Sequence, residues 1–143
     1  MPREGGGRCN RSSVLCVGTS KASAMPHVMV VEDDALVRRA IAFCAMDSHW
    51  RVTTLCDGRE LGRMIEDEPA DLLLIDLGLP HVDGLALVEE LRARGNNTPV
   101  LVITAQELPH LREIVMGAGA NDLLHKPFDP DDLLQRMRLL LAA

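Results

Sequence analysis

The chain of 143 residues has no tyrosine, and its only aromatic residues are Phe43, Phe128 and Trp50. It also has no cluster of basic residues interleaved with aromatics. The whole chain carries a net charge of −6, and residues 1–25 hold four basic residues against one acidic, which leaves −9 for the remainder. A domain this acidic is a poor candidate for binding a phosphate backbone. We therefore expect no direct nucleic-acid partner.

The four cysteines show no CxxC spacing, which argues against a zinc site and against a disulfide framework. Cysteines without such spacing favour a reducing compartment, so we expect a cytoplasmic protein. No apolar run approaches the length of a membrane span. The run at 14–17 follows basic residues but is too short for the core of a signal peptide. We expect no association with a membrane.

What the sequence does have is a regular alternation of short apolar runs and amphipathic segments. Residues 1–25 are rich in Gly, Ser and Arg without periodicity, so we predict a disordered extension there and one domain over 26–143. Five alternations indicate an α/β fold, a doubly wound five-stranded parallel sheet with helices on both faces. The predicted strands lie near 28–31, 51–55, 72–75, 100–103 and 123–124, and the predicted helices lie near 35–46, 60–66, 84–94 and 108–116 and from 130 onward.

Two local expectations concern helix geometry and histidine placement. Leu36, Ala40, Ile41 and Cys44 recur at helical spacing, which predicts the buried face of the first helix, with Asp34 as its N-cap. The five histidines show no metal-ligand spacing and are predicted to lie at the surface or in loops.

The stretch from 71 to 80 contains four apolar residues that end on Asp76, followed closely by Gly78 and Pro80. A short apolar run bounded by turn residues is typical of a buried parallel strand. Asp76 then lies at the carboxyl end of that strand, where open α/β sheets place their ligand crevice. Burying a carboxylate there is costly unless something pairs with it.

Polar side chains end three further strands of the predicted sheet. Glu32 and Asp33 follow the first strand, Thr104 ends the fourth, and Lys126 comes just after the fifth. Because the carboxyl ends of parallel strands share one edge, these side chains can converge on Asp76. Hard oxygen ligands without His or Cys suit Mg²⁺. A carboxylate can also act as a nucleophile toward phosphorus, with a hydroxyl and an ammonium to stabilise the transferred oxygens.

In this order and spacing, the residues resemble the response-regulator receiver family over about 27–143. The matching segments are Val30-Val31-Glu32-Asp33-Asp34, Ile75-Asp76-Leu77-Gly78-Leu79-Pro80 with Asp83-Gly84, Val102-Ile103-Thr104-Ala105, and Lys126-Pro127-Phe128. The resemblance implies strand order 2-1-3-4-5 and a cis peptide bond between Lys126 and Pro127.

The resemblance also implies a function. Asp76 would accept a phosphoryl group from a phosphohistidine of a sensor histidine kinase or phosphotransfer protein. Glu32, Asp33, Asp76 and the backbone carbonyl of Leu77 would hold Mg²⁺, while Thr104 and Lys126 would contact the phosphoryl group. Such a chain is a phosphoacceptor that assists its own phosphorylation and dephosphorylation rather than an enzyme acting on other molecules. We expect a stand-alone receiver that signals by contact with a downstream protein, and a weak homodimer is compatible with this role.

Leu123 departs from the family pattern, which has an aromatic residue three positions before the lysine. This departure keeps open a constitutive interaction module that retains the fold without switching. An aspartyl-phosphate phosphatase is a third hypothesis, but Gly78 stands where such enzymes have a second Asp. A nucleotide-binding Rossmann domain is disfavoured because no GxGxxG follows the first strand.

Overall fold

The computed structural model describes residues 13–15 and 25–142, whose strands form one sheet. The sheet order is β1-β3-β2-β4-β5-β6, in which β2 to β6 are all parallel. These five strands thus have the predicted order 2-1-3-4-5, which confirms the fold class. The strands are β1 (Ser13–Leu15), β2 (His27–Val31), β3 (Arg51–Leu55), β4 (Leu72–Asp76), β5 (Val100–Thr104) and β6 (Asp122–His125).

The strand β1 corrects part of the prediction of disorder for residues 1–25. It pairs antiparallel with the edge strand β3, with Ser13 opposite Thr54 and Leu15 opposite Val52. An exposed strand edge offers unpaired backbone groups that a three-residue segment can satisfy without any hydrophobic periodicity of its own. The prediction for 1–12 and 16–24 falls outside the described residues.

Five helices cover both faces of the sheet in the described part of the chain. Buried residues of α1 and α5 share one apolar cluster with Val28, Val30 and Leu74, while α2, α3 and α4 share the other with Met29 and Ile75. Successive strand residues therefore alternate between two buried faces, which explains why the strands are apolar throughout. The helices are α1 (Ala35–Asp47), α2 (Leu61–Asp67), α3 (Gly84–Ala93), α4 (Leu111–Ala118) and α5 (Pro130–Ala142). None of the described helices has both the length and the hydrophobicity to cross a membrane.

The predicted buried face of α1 is confirmed at Ile41 but wrong at Leu36 and Ala40. Asp34 caps the helix as expected, since its Oδ1 accepts from the N–H groups of Leu36 and Val37. However, Leu36 is 75% exposed and Ala40 is also exposed, while Ile41 and Ala45 pack on the sheet. Apolar residues cover most of the circumference of α1, so periodicity alone does not decide which of them face the core.

His27 corrects the prediction that all five histidines lie at the surface, because it is only 4% exposed. Its Nδ1 lies 2.9 Å from the carbonyl oxygen of Pro69, and its Nε2 lies 2.8 Å from the Thr53 hydroxyl. A carbonyl only accepts hydrogen bonds, so Nδ1 carries a proton and donates to Pro69, while Nε2 and the Thr53 hydroxyl share the second hydrogen bond. Neighbouring strands bury the ring and supply both partners. The other four histidines are exposed, as predicted.

The cysteines give one further correction. Cys44 carries a free thiol, as expected for a small half-buried side chain on α1. Cys56, which directly follows β3, is disulfide-bonded, so the prediction that the chain has no disulfide is wrong. Its partner lies outside the described residues. Spacing along the chain did not reveal this bond because a disulfide depends on proximity in the fold rather than in sequence.

Candidate functional site

The predicted residues meet at one edge of the sheet, where β2, β4, β5 and β6 end. Asp76 is the last residue of β4 and Thr104 the last of β5, while Glu32 and Lys126 directly follow β2 and β6. The register places these ends side by side, with Asp76 opposite Ile103 and Thr104 opposite His125. The parallel topology therefore brings together four segments that lie far apart in the sequence.

Three carboxylates form a compact cluster at this edge. Carboxylate oxygens of Glu32, Asp33 and Asp76 all lie within 4.8 Å of one another. Glu32 and Asp76 are 1% and 4% exposed, whereas Asp33 is exposed to solvent. The cluster is thus a crevice with a buried floor and an open rim at Asp33, and it can admit an ion or a small group from solution.

Lys126 reaches both buried carboxylates of the cluster. Its Nζ lies 3.0 Å from Glu32 Oε1 and 3.3 Å from Asp76 Oδ2. Burial alone would lower the pKa of Lys126, but the two carboxylates outweigh that effect and raise the pKa above its ordinary value. The ammonium is therefore charged at neutral pH, and the peptide bond that follows it, to Pro127, is cis as the resemblance implied.

Burial strongly affects the ionisation of Glu32. Burial raises its pKa from 4.5 to about 7, against the opposing effects of the Asp34 N–H and of Lys126. Its Oε2 accepts a hydrogen bond from the Asp34 N–H at 3.0 Å. Its Oε1 lies 3.0 Å from the Lys126 ammonium, but no donor among the described residues is oriented to form a hydrogen bond with this oxygen. A buried carboxylate oxygen in this condition is a fitting ligand for a cation.

The loop after Asp76 is held by backbone contacts. Oδ1 of Asp76 accepts from the Gly78 N–H at 3.1 Å, and the Leu77 N–H donates to the Ile103 carbonyl at 3.1 Å. A Cβ on Gly84 would lie 2.5 Å from the Asp76 carbonyl oxygen and 2.9 Å from the Leu77 Cα. Only glycine lets the first turn of α3 approach the loop this closely. From the sequence, Gly84 was placed at the start of a helix and in a family-like segment, without this packing role; a glycine directly after the N-cap was the available signal.

Thr104 lies at the same edge and is almost completely buried. Its Oγ1 accepts from the Gln106 N–H at 2.9 Å, and its carbonyl accepts from the Lys126 N–H at 2.8 Å. Within the described part of the chain, no hydrogen bond joins the Thr104 hydroxyl to the carboxylates. The hydroxyl proton is therefore free to donate to a group that enters the crevice.

Leu123 is buried in the apolar cluster beneath α4. Leu123 lies three residues before Lys126 in the chain, yet its side chain packs with the core and has no polar group that could contact the site. The departure from the family pattern at this position is therefore accommodated by ordinary apolar packing.

A functional contact that the sequence analysis missed comes from Arg38. No role was predicted for Arg38 from the sequence. In the structure, the Arg38 Nη1 donates to the Glu32 carbonyl at 2.8 Å and to the Asp33 carbonyl at 3.3 Å. An arginine one turn beyond a pair of acids was the only signal in the sequence.

The donor set decides what the crevice can hold. It offers oxygen atoms from three carboxylates, with no histidine or thiol among the clustered groups. Such a set fits a hard divalent cation such as Mg²⁺ and does not suit zinc or copper. Beside it stand one carboxylate that can act as nucleophile, one buried ammonium and one hydroxyl, a combination suited to phosphoryl transfer.

Solved structures of known proteins share this architecture. The receiver domain of the Francisella response regulator 1452 superposes with a TM-score of 0.78 and 30% identity, over 82% of this chain and 97% of that one. The chemotaxis response regulator CheY4 of Vibrio cholerae superposes with a TM-score of 0.75 and 27% identity, over 81% of this chain and 98% of that one. The likeness covers the parallel sheet and its helices.

Sequence comparison also gives response regulators and transcriptional regulatory proteins. The chain is 37% identical over 115 residues to the response regulator MprA of Mycolicibacterium vanbaalenii, which covers 80% of this chain and 50% of that protein. It is 37% identical over 117 residues to the virulence transcriptional regulatory protein PhoP of Salmonella typhimurium. This match covers 82% of this chain and 52% of that protein. The chain thus spans about half the length of these curated relatives. The profile of the response regulator receiver domain matches residues 28–138, so the chain belongs to the response regulator receiver domain family.

Proposed function

We propose that this chain accepts a phosphoryl group on Asp76 from a phosphohistidine of a sensor histidine kinase or phosphotransfer protein. The reaction depends on Mg²⁺, and the product signals by a change in protein contacts. The observation that carries the proposal is the position of Asp76, a buried carboxylate with the Lys126 ammonium at 3.3 Å and two further carboxylates beside it. Family membership supports the same reaction.

The chemistry follows from the chain's own side chains. A carboxylate oxygen of Asp76 attacks phosphorus, so an O–P bond forms as the P–N bond to the donor imidazole breaks. The imidazole keeps the electron pair of that bond and takes up a proton. Lys126 pairs with the incoming phosphoryl oxygens, and the Thr104 hydroxyl donates to one of them while it still accepts from the Gln106 N–H.

Glu32, Asp33 and Asp76, with the Leu77 carbonyl, are the proposed holders of Mg²⁺. When bound, the cation neutralises the clustered negative charge and orients the phosphoryl group. The Oε1 of Glu32, which has no aligned hydrogen bond within the described part of the chain, and the raised pKa of that residue support this assignment, because both show a buried carboxylate whose charge Lys126 compensates only in part.

The test uses a small phosphodonor such as phosphoramidate, so that no kinase is needed. In the presence of Mg²⁺, intact mass spectrometry should show one added phosphoryl group on the wild type and none on Asp76→Asn. Asp131→Asn, which changes an exposed carboxylate on α5, is the matched control and should react like the wild type. Phosphorylation of Asp76→Asn to the wild-type extent would refute the assignment.

A constitutive interaction module is the second candidate, and Leu123 is the observation that favours it. The side chain is aliphatic and buried in the core, so it offers no ring to report the state of Thr104. Amide hydrogen exchange of α4 and α5, measured with and without beryllofluoride on Asp76, separates the candidates. Unchanged exchange in both helices would favour the constitutive module, and altered exchange would favour the switch.

A further inference from the structure

A side chain of α1 supports the loop that carries Glu32 and Asp33. Arg38 lies one turn into that helix, and its Nη1 donates to both carbonyl oxygens of the loop, at 2.8 Å to Glu32 and 3.3 Å to Asp33. Hydrogen bonds from a charged donor are stronger than those between neutral groups. One guanidinium therefore holds two successive peptide groups, and these are the two whose side chains enter the acidic cluster.

The choice of acceptor matters for a cation that would enter the crevice. Among the residues that the structure describes, no carboxylate oxygen lies within 4.0 Å of the Arg38 guanidinium, whereas Lys126 pairs with Glu32 and Asp76 directly. Arg38 thus orders the acids through their backbone and leaves their carboxylate oxygens available. A group that paired with those oxygens would have to be displaced or shared when the cation binds.

The rest of the loop is fixed from other directions. The Glu32 N–H donates to the Leu55 carbonyl of β3 at 3.0 Å, and the Asp34 N–H donates to the Glu32 side chain. Those bonds hold the amide groups of the loop, and Arg38 holds its carbonyl groups. Without Arg38, both carbonyls lose their side-chain donor, and the peptide group between Glu32 and Asp33 loses the hydrogen bond that restrains its carbonyl.

We propose that Arg38 is a positioning residue for the divalent-cation site and sets its affinity by fixing the backbone of Glu32 and Asp33. This inference rests on the proposed function, which places the cation there. Removing a group that orients a metal ligand without contacting the metal itself typically weakens metal binding by about tenfold to a hundredfold. Truncation of Arg38 should therefore weaken Mg²⁺ binding by roughly tenfold.

The experiment measures Mg²⁺ binding by isothermal titration calorimetry on the full chain, with no phosphodonor present. Arg38→Ala is compared with Arg39→Ala, which removes the same charge from the same helix at an exposed position. We expect Arg38→Ala to raise the dissociation constant roughly tenfold and Arg39→Ala to leave it within about twofold. Arg38→Lys keeps a charged donor and should recover part of the affinity.

Thermal unfolding in EDTA accompanies the titration, since a purely structural role would lower the unfolding temperature and leave the affinity unchanged. That result would overturn the proposal. Equal losses of affinity in Arg38→Ala and Arg39→Ala would also overturn it, because net charge rather than contact would then be responsible. If Arg38→Ala does not fold, Arg38→Gln and Arg38→Lys carry the same comparison.

The phosphorylation assay keeps this inference separate from the proposed function. If the wild type gains no phosphoryl group, the proposed function fails, while the calorimetric comparison still tests the role of Arg38. If the wild type is phosphorylated, Arg38→Ala should need roughly tenfold more Mg²⁺ for half-maximal rate and reach a similar rate at saturation. A positioning role would be contradicted if Arg38→Ala lowered the rate at saturating Mg²⁺ and left the Mg²⁺ concentration for half-maximal rate unchanged.

Discussion

The Nζ atom of Lys126 lies 3.3 Å from Oδ2 of Asp76, and both side chains are largely buried, at 18% and 6% exposure. Removing one member of a buried ion pair leaves the other charge uncompensated. We expect Lys126→Ala to lower the free energy of unfolding in EDTA by about 2–4 kcal/mol at pH 7.5. Urea titration measures this loss.

The control for that variant is Arg59→Ala. Arg59 pairs with Asp57 at 3.0 Å but is largely exposed, so its removal should leave stability nearly unchanged. Lys126→Ala should also slow phosphorylation by a small phosphodonor. Equal stability of the two variants would show that the buried pair does not hold the crevice together.

The raised pKa of Glu32 predicts that the stability of the protein depends on pH in the absence of divalent cations. Its pKa is about 7 in the folded protein against an ordinary value of 4.5, so between these values the folded state binds more protons than the unfolded state. Its contribution to stability is therefore fully present below pH 4.5 and is lost as the pH rises to about 7.

Glu32→Gln removes this titration and tests its sign. At pH 8 in EDTA, the variant should be more stable than the wild type by about 1–3 kcal/mol, and the two should converge near pH 4.5. Urea unfolding across this range gives the difference. A variant that is less stable than the wild type at pH 8 would show that the Lys126 contact outweighs the cost of burial.

Gly84→Ala should disturb the loop after Asp76. The new Cβ would lie 2.5 Å from a backbone oxygen, which cannot rotate away as a side chain can. We expect a loss of about 1–3 kcal/mol in the free energy of unfolding and slower phosphorylation. Gly117→Ala is the matched control, because nothing lies within 4 Å of its Cβ position and alanine favours a helix. If both glycine variants behave alike, close packing of α3 on the loop is unimportant.

Two substitutions of Thr104, one that keeps its hydroxyl and one that removes it, should differ in their effect on phosphorylation. Thr104→Ser keeps the hydroxyl that accepts from the Gln106 N–H, and Thr104→Val keeps the shape but leaves that N–H without its acceptor. We expect the valine variant to accept phosphoryl groups more slowly by on the order of tenfold or more, and the serine variant to stay close to the wild type. Phosphorylation kinetics with a small donor measure both, and similar rates would remove the hydroxyl from the mechanism.

Much of the site could be predicted from short segments alone. Apolar runs that end on Asp76 and on Thr104 specify strands with polar ends, and parallel topology makes such ends converge at one edge. The N-cap at Asp34 was predictable for the same reason, since a cap acts on the next few residues. Features that depend on a few neighbouring residues, or on the parallel topology of the sheet, were therefore predicted correctly.

The contacts that went unpredicted join elements through their docking geometry. On α1 the apolar residues cover most of the helix surface, so only packing against the sheet decides that Ile41 is buried and Leu36 exposed. His27 is buried because Thr53 and the Pro69 carbonyl, both distant in sequence, satisfy its ring. No periodicity encodes the partner of a buried polar group.

By itself, the sequence determined the parallel five-stranded sheet, its polar edge and the convergence of Glu32, Asp33, Asp76 and Lys126 on that edge. Only the tertiary structure decided that β1 covers the edge of β3, that α3 approaches the loop closely enough to require Gly84, and that Arg38 reaches back to the acids. The physical reason is the range of the interactions. Hydrophobic patterning specifies an element and its buried side, whereas close backbone approach and side-chain reach depend on where whole elements come to rest.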